Sequence, residues 1–360
     1  MTAMKLKNTL LKNRRDLATY VLVIVAFAVM QCLSSAGMLT RSVSGYLVPI
    51  CAYIVLAVSL NLVVGISGEL SLGHAGFMGV GAFVGIVVAA CMKNVLSNDF
   101  IRLVVAMFIG GIFAGFAGFV IGIPVLRLRG DYLAIVTLAF GEILKNITGN
   151  LYIGYDSRGL RFAFKQENLH LEEGGTTILS GALGATGIQK ISTFFAGFLL
   201  ILFTLFVVLN LINSKEGRAI KSVRDNRIAA ESVGINVTNF RLKAFVVSAF
   251  LAGMAGALYG LNYSAVASAK FGFTTSIDIL VFVVLGGMGN ILGSVISATV
   301  LYVLPEAMRG MADYRMILYA VVLILVMLFT WSPKAKEAKA VLLSKIKSVF
   351  KKKKEVGTDE

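Results

Sequence analysis

An uncharged apolar stretch near the start of the chain decides the fold: residues 45–66 read GYLVPICAYIVLAVSLNLVVGI. A helix that crosses a bilayer needs about 20 consecutive apolar residues, and this stretch contains no Asp, Glu, Lys or Arg. The apolar residues run continuously instead of alternating with polar ones, which disfavours a transmembrane β-barrel. The stretch therefore predicts a membrane-spanning helix.

The composition extends this prediction to the whole chain. Of 360 residues, 57% are apolar and 15% are charged, against about 45–50% and about 25% in soluble proteins. These values exclude a soluble enzyme with one core, a disordered chain and a disulfide-stapled secreted domain. We predict an all-α polytopic membrane protein. Its transmembrane domain, residues 17–332, should contain about ten segments, some broken or short, near 17–35, 45–66, 76–92, 103–126, 132–151, 191–212, 243–262, 277–289, 290–306 and 315–332.

The basic residues predict the topology. The net charge is +15, and Lys and Arg lie mostly outside the apolar segments, which indicates membrane orientation and not nucleic-acid binding. The basic N-terminal tail 1–16, the loop 213–243 and the basic tail 333–360 are expected in the cytoplasm, and the charge-balanced loop 152–190 outside. Both termini then lie inside, which requires an even number of crossings. Counting 277–306 as two segments gives ten, and counting it as one gives nine.

Two features of the ends of the chain add to this topology. The first apolar segment follows a basic N-terminus but has no clear small-residue cleavage site, so we interpret it as a retained helix and not a signal peptide. The lysine run 351–354 is expected to contact membrane lipid, because basic side chains are attracted to anionic headgroups. A specific partner for that run is the alternative.

No catalytic or metal-binding motif is present in the sequence. There is no GxxxxGK[ST] and no Gly-Lys dipeptide, so the chain should not hydrolyse ATP itself. The two histidines are far apart, no HExxH occurs, and the three cysteines form no CxxC. We therefore expect no enzyme activity, no metal site and no cofactor bound by this chain.

The segment Gly65–Phe77 interrupts the apolar sequence with glycine and polar residues. Broken helices at membrane depth are tolerated where they face protein or a wet cavity, and transporters bind polar solutes at such breaks. A short cytoplasmic turn between two spans is the alternative. The candidates for the translocation pathway here are Gly68, Glu69, Ser71, Gly73 and His74.

A second candidate segment runs from Leu126 to Glu142, where Thr137 and Glu142 enter a predicted span. We add Thr137 and Glu142 to the pathway candidates because polar groups within spans are costly and often functional. The alternative for the charges is an anchor at the membrane boundary, with Glu142 paired to Lys145 near the outer face.

The loop 217–236 carries a partial apolar stripe of Ile220, Val223, Ile228 and Val233 on short helices, and Gly234 is suited to end a helix. A helix in a cytoplasmic loop needs either a partner groove or an anionic lipid surface for its apolar face. The residues alone leave both possibilities open.

Taken in order, these segments resemble the permeases of branched-chain amino acid ABC importers, in particular the longer, LivM-type member of the permease pair. The likeness covers roughly residues 45–332. It is carried by Ser71–Ala75 with Gly79–Phe83, by Arg129–Glu142, by Arg224–Asn226 with Ala229–Asn236, by Phe245–Tyr259, and by Gly286–Asn290 with Gly293.

The resemblance implies a multi-pass subunit of the bacterial cytoplasmic (inner) membrane. It implies a second permease subunit, two cytoplasmic ATPase subunits that bind ATP-Mg, and an extracytoplasmic solute-binding protein that delivers Leu, Ile or Val. The segment Arg224–Gly234 aligns with the family's ATPase-coupling helix. The candidates for ATPase coupling are therefore Arg224, Asp225, Asn226, Ala229, Ala230, Glu231 and Gly234.

Three departures from the family pattern leave the transported solute open, and a different kind of transporter is a separate alternative. Glu69 stands where Gln or an apolar residue is usual, the sequence after residue 152 lacks the usual GG-x-x-GL stretch, and Glu167–Gly187 is unusual. The alternatives are a permease for urea or another small amide or acid, and a self-sufficient secondary transporter or channel. The latter would need a chain of buried ionisable residues, which the sequence does not clearly contain.

Overall fold

The computed structural model describes residues 2–37, 41–128, 130–156, 159–169 and 175–307, together with residues 317, 320, 321 and 324. The chain divides into two compact units, Met1–Val300 and Leu301–Glu360. Of the second unit, the structure describes the helical residues 301–307 and the four isolated helical residues. The predicted tail 333–360 and most of the predicted segment 315–332 lie outside the described residues.

Helices dominate the described chain. In order they are α1 (Thr2–Ser35), α2 (Arg41–Asn61), α3 (His74–Cys91), α4 (Asp99–Val125), α5 (Asp131–Asn150), α6 (Phe194–Asn213), α7 (Lys215–Asp225), α8 (Arg227–Ser232), α9 (Val237–Gly260), α10 (Phe273–Gly286) and α11 (Ile291–Ala307). A π-helical turn, Leu62–Ser67, continues α2. Helix α1 extends the first apolar segment back through the predicted N-terminal tail to Thr2.

The helices α3, α4 and α9 form the centre of the first unit, and small residues set their spacing. A Cβ atom at Gly81 of α3 would overlap the backbone of Gly253 in α9, and one at Gly253 would overlap Ala114 of α4. Farther along, a Cβ at Gly256 would overlap the carbonyl oxygen of Met78. In lipid no hydrophobic force drives helices together, so close packing is needed, and small residues let helix backbones approach closely. The glycines of the sequence therefore hold this bundle together.

Within the described residues, six helical segments are long and apolar enough to cross a membrane, judged by length and composition alone. They are Asp16–Ser35, Val43–Ser67, His74–Cys91, Asp99–Val125, Phe194–Asn213 and Val237–Gly260, and two shorter apolar helices are Phe273–Gly286 and Ile291–Pro305. The polytopic helical prediction is therefore supported, while the count of ten and the placement of the termini remain predictions. Helix α5, predicted as a span at 132–151, is 20 residues long but does not meet these criteria.

The segment 277–306 forms two helices, α10 and α11, separated by Gly287–Asn290. Gly287 and Gly289 have φ values of +92° and +83°, in the left-handed region that side chains with a Cβ rarely adopt. The glycines thus allow a turn that a continuous helix would exclude. The predicted count of ten membrane crossings takes this segment as two separate elements.

The description of the chain as all-α is wrong for the predicted outer loop. Strands β1 (Tyr152–Asp156), β2 (Gly159–Ala163), β3 (Thr176–Ser180) and β4 (Ala185–Thr186) lie in this loop, and β5 (Ala265–Val266) follows α9. They form one antiparallel sheet in the order β2-β1-β3-β4-β5, with Tyr152 opposite both Ala163 and Ser180. Continuous apolar runs dominated the sequence, so short strands with β-branched residues such as Thr176 and Thr177 gave only a weak signal.

Apolar side chains are exposed along several of the long helices. On α4 they include Phe108, Ile112, Phe116, Phe119 and Ile123. Exposed apolar surfaces of this extent are typical of proteins that contact lipid or a partner subunit. This exposure agrees with a chain whose outer helices face a membrane.

Candidate functional site

The loop between α6 and α9 folds as two short helices whose ends are encoded in the sequence. Ser214 Oγ accepts a hydrogen bond from Gly217 N at 3.1 Å, and Asn226 Oδ1 accepts one from Ala229 N at 3.0 Å. These caps satisfy backbone donors at the starts of α7 and α8. The loop therefore contains two helices with defined starts.

Gly234 ends α8, as the sequence predicted. Its φ is +82°, and the flanking bonds run from Gly234 N to Glu231 O and from Ile235 N to Ala230 O, both at 3.0 Å. This pair of bonds is the Schellman arrangement, in which a glycine in the left-handed conformation closes a helix. A side chain at this position would strain the backbone.

The predicted apolar stripe divides between two faces. Ile220 and Val223 of α7 are buried, and Val223 packs with Ala230 and Val237. Ile228 and Val233 are instead 79% and 74% exposed. Among the coupling candidates, Ala230 is therefore part of the internal packing. The exposed candidates are Arg224, Asp225, Asn226, Ala229, Glu231 and Gly234.

Arg224 joins α7 to the break that follows α2. Its Nη1 donates to the carbonyl oxygen of Gly65 at 2.8 Å, while Nε and Nη2 contact Asp225 Oδ1 at 3.0 and 2.9 Å. The side chain also lies against Gly68, because a Cβ there would overlap Arg224 Cγ. Gly68 has a φ of +79° and closes the π-helical turn. The last residues of α7 thus hold the broken segment directly.

A buried ion pair ties the same segment to α9. Glu69 Oε1 lies 2.8 Å from Arg241 Nε, and both side chains are largely shielded from solvent. Burial raises the pKa of the Glu69 carboxyl above its usual value, and the charges of Arg241 and Arg227 oppose that rise. Separating such a pair would leave a charge in surroundings that solvate it poorly.

The two breaks in the bundle meet at Asn61. Its Oδ1 accepts a hydrogen bond from Gly289 N, and its Nδ2 donates to Ser294 Oγ, both at 2.8 Å. A Cβ at Gly65 would overlap both Asn61 and Gly289. One buried amide therefore links the end of α2 to the turn between α10 and α11.

The remaining residues of the first candidate segment pack against α5 and the core. Leu72 N donates to Thr137 Oγ1 at 3.1 Å, and a Cβ at Gly73 would overlap the carbonyl oxygen of Thr137. His74 Nε2 lies 2.9 Å from Ser59 Oγ. Ser71 Oγ is buried and has no hydrogen-bond partner in the described part of the chain.

Glu142 lies apart from this group. It pairs with Lys145 on the same helix, and its Oε1 accepts a hydrogen bond from Phe273 N, at the start of α10, at 3.0 Å. The carboxylate thereby occupies a helix N-terminus, where negative charge is favourable. This placement agrees with the alternative of a paired anchoring charge.

The structure therefore brings together Gly68, Glu69, Ser71, Gly73, His74 and Thr137, with Arg224 at one edge. Glu69, Ser71 and His74 are at most 7% exposed. In this conformation a solute would reach these side chains only after the surrounding helices moved.

Sequence reasoning missed two residues of this site, Asn61 and Arg241. Asn61 could have been identified from the sequence, because its amide lies within an apolar stretch, where an unpaired polar group is costly. Arg241 was counted only for the charge of its loop. Its partner Glu69 is far away in sequence, so no local pattern connects them.

Similarity to known proteins shows the family of this chain. Residues 42–330, more than half of the chain, match the family described as the permease component of branched-chain amino acid transport systems. The chain belongs to this family. The family resemblance identified from the sequence is thereby confirmed, and membership points to a transport protein, not an enzyme.

Individual relatives differ in what their names state. LivM of Salmonella typhimurium, a high-affinity branched-chain amino acid permease, is 36% identical over 291 residues, which are 78% of this chain and 66% of that protein. BraD of Pseudomonas aeruginosa, named for the same function, is 25% identical over 77% of this chain and 89% of its own. The ribose import permease RbsC of Haemophilus influenzae is 26% identical over 76% of this chain and 80% of its own. The chain thus spans just under two thirds of its LivM relative.

Replacing Asn61 by alanine should destabilise the protein. The change removes the hydrogen-bond partner of Gly289 N and that of Ser294 Oγ at a buried position. A buried donor left unsatisfied lowers the free energy of unfolding by about 1–3 kcal/mol. The thermal unfolding midpoint of the detergent-purified protein measures the effect. Asn239→Ala, at an exposed position on α9, is the matched control, and equal midpoints for the two variants would contradict the assigned role of Asn61.

Proposed function

We propose that this chain is the permease subunit of an ABC importer in the bacterial cytoplasmic membrane. With a second permease it forms the pathway for branched-chain amino acids, which an extracytoplasmic solute-binding protein delivers. Two cytoplasmic ATPase subunits that bind ATP-Mg drive the cycle. Support comes from membership of the family and from the names of the LivM and BraD relatives.

In this proposal the chain crosses the membrane ten times, with both termini and the element α7–α8 in the cytoplasm. The excess of Lys and Arg in the loop 213–243 supports that orientation. The sheet formed by β1–β5 then lies on the outer side, where it faces the binding protein. Helix α3 connects the two sides, since 18 residues of helix extend about 27 Å.

The contact between Arg224 and Gly65 is the observation that carries the proposal. An importer without its own ATPase needs an element that an ATPase subunit can move and that in turn moves the pathway. Arg224 stands at the end of α7 and bonds to a backbone carbonyl inside the break. Because Arg224 contacts Gly65 and Gly68 directly, a displacement of α7 would be transmitted to both residues.

Helix α8 presents the surface that such a partner requires. Ile228 in α8 and Val233 directly after it are exposed, and the charged residues Asp225, Arg227 and Glu231 are their neighbours in sequence. Apolar anchors with a charged rim are typical of helices that seat in a protein groove. Ala229, small and exposed, would allow the groove to approach the helix closely.

Transport then follows an alternating-access cycle. In the described conformation Glu69, Ser71 and His74 are shielded from solvent, and the ion pair between Glu69 and Arg241 holds the broken segment against α9. ATP binding can shift the equilibrium only if the ATPase subunits contact α7–α8 differently in the two states. The exposed residues of α8 are the ones that would provide these differential contacts.

The proposal is tested by the ATPase activity of the assembly that copurifies with this chain. In liposomes with ATP enclosed and the solute-binding protein outside, leucine, isoleucine or valine should stimulate ATP hydrolysis and be taken up, whereas urea and ribose should do neither. Uptake by this chain alone, driven by an ion gradient, would contradict the proposal. Stimulation by ribose or urea but not by leucine would reject the proposed substrate class.

Ile228→Asp should weaken the association of the ATPase subunits. A charge in place of an apolar anchor is poorly solvated in a protein groove, and loss of one hot-spot side chain costs about 2 kcal/mol or more. The measured quantity is the ratio of ATPase subunit to this chain after mild solubilisation. Leu183→Asp, at a comparably exposed apolar position next to the sheet, is the control. Equal ratios for the two variants would argue that α8 rests on lipid.

Arg224→Ala should uncouple ATP hydrolysis from uptake. The variant loses the bond to Gly65 but keeps the exposed face of α8, so the ATPase subunits should remain bound and hydrolyse ATP. We expect uptake per ATP hydrolysed to fall about tenfold, the change that corresponds to about 1.4 kcal/mol. Arg218→Ala, which removes the same charge from the same helix, is the control. An unchanged ratio in the Arg224 variant would show that the contact does not transmit motion.

A further inference from the structure

A cavity of about 210 Å³ lies at the end of α3 remote from α7. The ends of α3 and α4 form one side, and β3 with the segment 186–191 forms the other. This volume far exceeds the roughly 30 Å³ that one water molecule occupies in the liquid. It is smaller than the about 300–1,000 Å³ of sites for drug-sized ligands. The cavity therefore suits a small metabolite.

The inner part of the cavity is apolar. Ile86, Ile178, Ile191 and Leu261 line it, and each of them is buried. They come from α3, β3, the segment before α6 and the end of α9, so the surface is assembled from distant parts of the chain. Such a floor would accept a short alkyl chain and exclude a strongly hydrated group.

A buried cation lies in the wall. Arg102, in the first turns of α4, is 3% exposed. Its Nη2 donates to Asp99 Oδ1 at 2.7 Å and to Gln189 Oε1 at 3.1 Å. Its Nε is buried and has no hydrogen-bond acceptor within the described residues. A guanidinium group has donors only, and a charged donor away from water is unfavourable until it meets an acceptor.

The rest of the polar lining also favours an anion. Lys93 stands exposed at the mouth, and the hydroxyl-bearing residues Thr177 and Thr186 line the same cavity. The described residues that line the cavity include no carboxylate. Charge-assisted hydrogen bonds from Arg and Lys to a carboxylate are stronger than those between neutral groups.

We propose that this cavity binds a small aliphatic carboxylate. The carboxylate group faces Arg102 and Lys93, and the alkyl chain lies on Ile86, Ile178 and Leu261. An apolar floor below a cationic rim distinguishes such a ligand from a sugar, which has no alkyl chain. The cavity would receive the transported solute at the outer end of the pathway, and this part of the inference rests on the proposed function. Binding of the carboxylate to the cavity does not depend on the proposed function.

The test uses the full chain with the subunits that copurify, without ATP and without the solute-binding protein. The probes are 4-methylpentanoate and its neutral isostere 4-methylpentanamide, titrated at millimolar concentration and followed by saturation-transfer NMR and calorimetry. The carboxylate should bind at least about tenfold more tightly than the amide, as expected for loss of a charge-assisted bond. Equal binding of the two probes, or no binding of the carboxylate, would overturn the proposal.

Two variants locate the binding in the cavity. Ala90→Leu fills it from the end of α3 and should abolish binding of the carboxylate, and Lys93→Gln should weaken it. The matched controls are Ala182→Leu and Lys190→Gln, exposed positions outside the lining, and both should bind as the parent does. Binding that survives Ala90→Leu unchanged would place the ligand elsewhere and reject the cavity.

These outcomes are separable from those of the proposed function. Two results together would reject the cavity and leave the importer intact. The parent assembly would bind no carboxylate, and an assembly that carries Ala90→Leu and Lys93→Gln would take up leucine at the parent's rate. Carboxylate binding by the chain without ATP-driven uptake of any branched-chain amino acid supports the cavity and rejects the importer.

Discussion

The backbone groups released where α2 breaks must find partners inside the protein, and this requirement organises the site. Lipid and apolar side chains offer no hydrogen bonds, so backbone groups shielded from water need partners in the protein. Here the carbonyl of Gly65 accepts from Arg224, and Glu69 N donates to Val63 O at 3.1 Å. Arg224 of α7 therefore supplies one of the partners that the break requires.

The same requirement connects parts of the molecule that are distant in sequence. Asn61 joins the break to the turn before α11, Thr137 joins it to α5, and Arg241 joins it to α9 through Glu69. Each link is a polar contact in surroundings with few alternative partners. A shift at α7 would consequently require several of these contacts to change together, which is how packed interiors produce discrete states instead of gradual deformation.

The described ends of the bundle differ in chemistry. At the α7–α8 end, exposed apolar residues with a charged rim suit a protein partner. At the other end, a cavity with an apolar floor and a cationic wall suits a small anion. In the two proposals above, one molecule engages a large partner on one side and a small solute on the other, with α3 between them.

Local features of the site were readable from the sequence, and long-range ones were not. The break at Gly65–Phe77, the helix end at Gly234 and the two helices after residue 273 follow from glycine conformations and apolar patterns. The strands of 152–186 were missed because their alternation is short. The bond of Arg224 to Gly65 joins residues 159 apart, and that of Gly289 to Asn61 joins residues 228 apart. Only tertiary structure creates such pairs.

Spin-label distances test most directly whether α7 and the broken segment move as one. Labels at Arg218 and Leu70, both exposed, and a reference label at Ile147 would be introduced pairwise into a cysteine-free chain within the full assembly. On addition of ATP, the distance from Arg218 to Leu70 should stay the same while both distances to Ile147 change. A changed distance between Arg218 and Leu70, with Leu70 fixed relative to Ile147, would contradict the account.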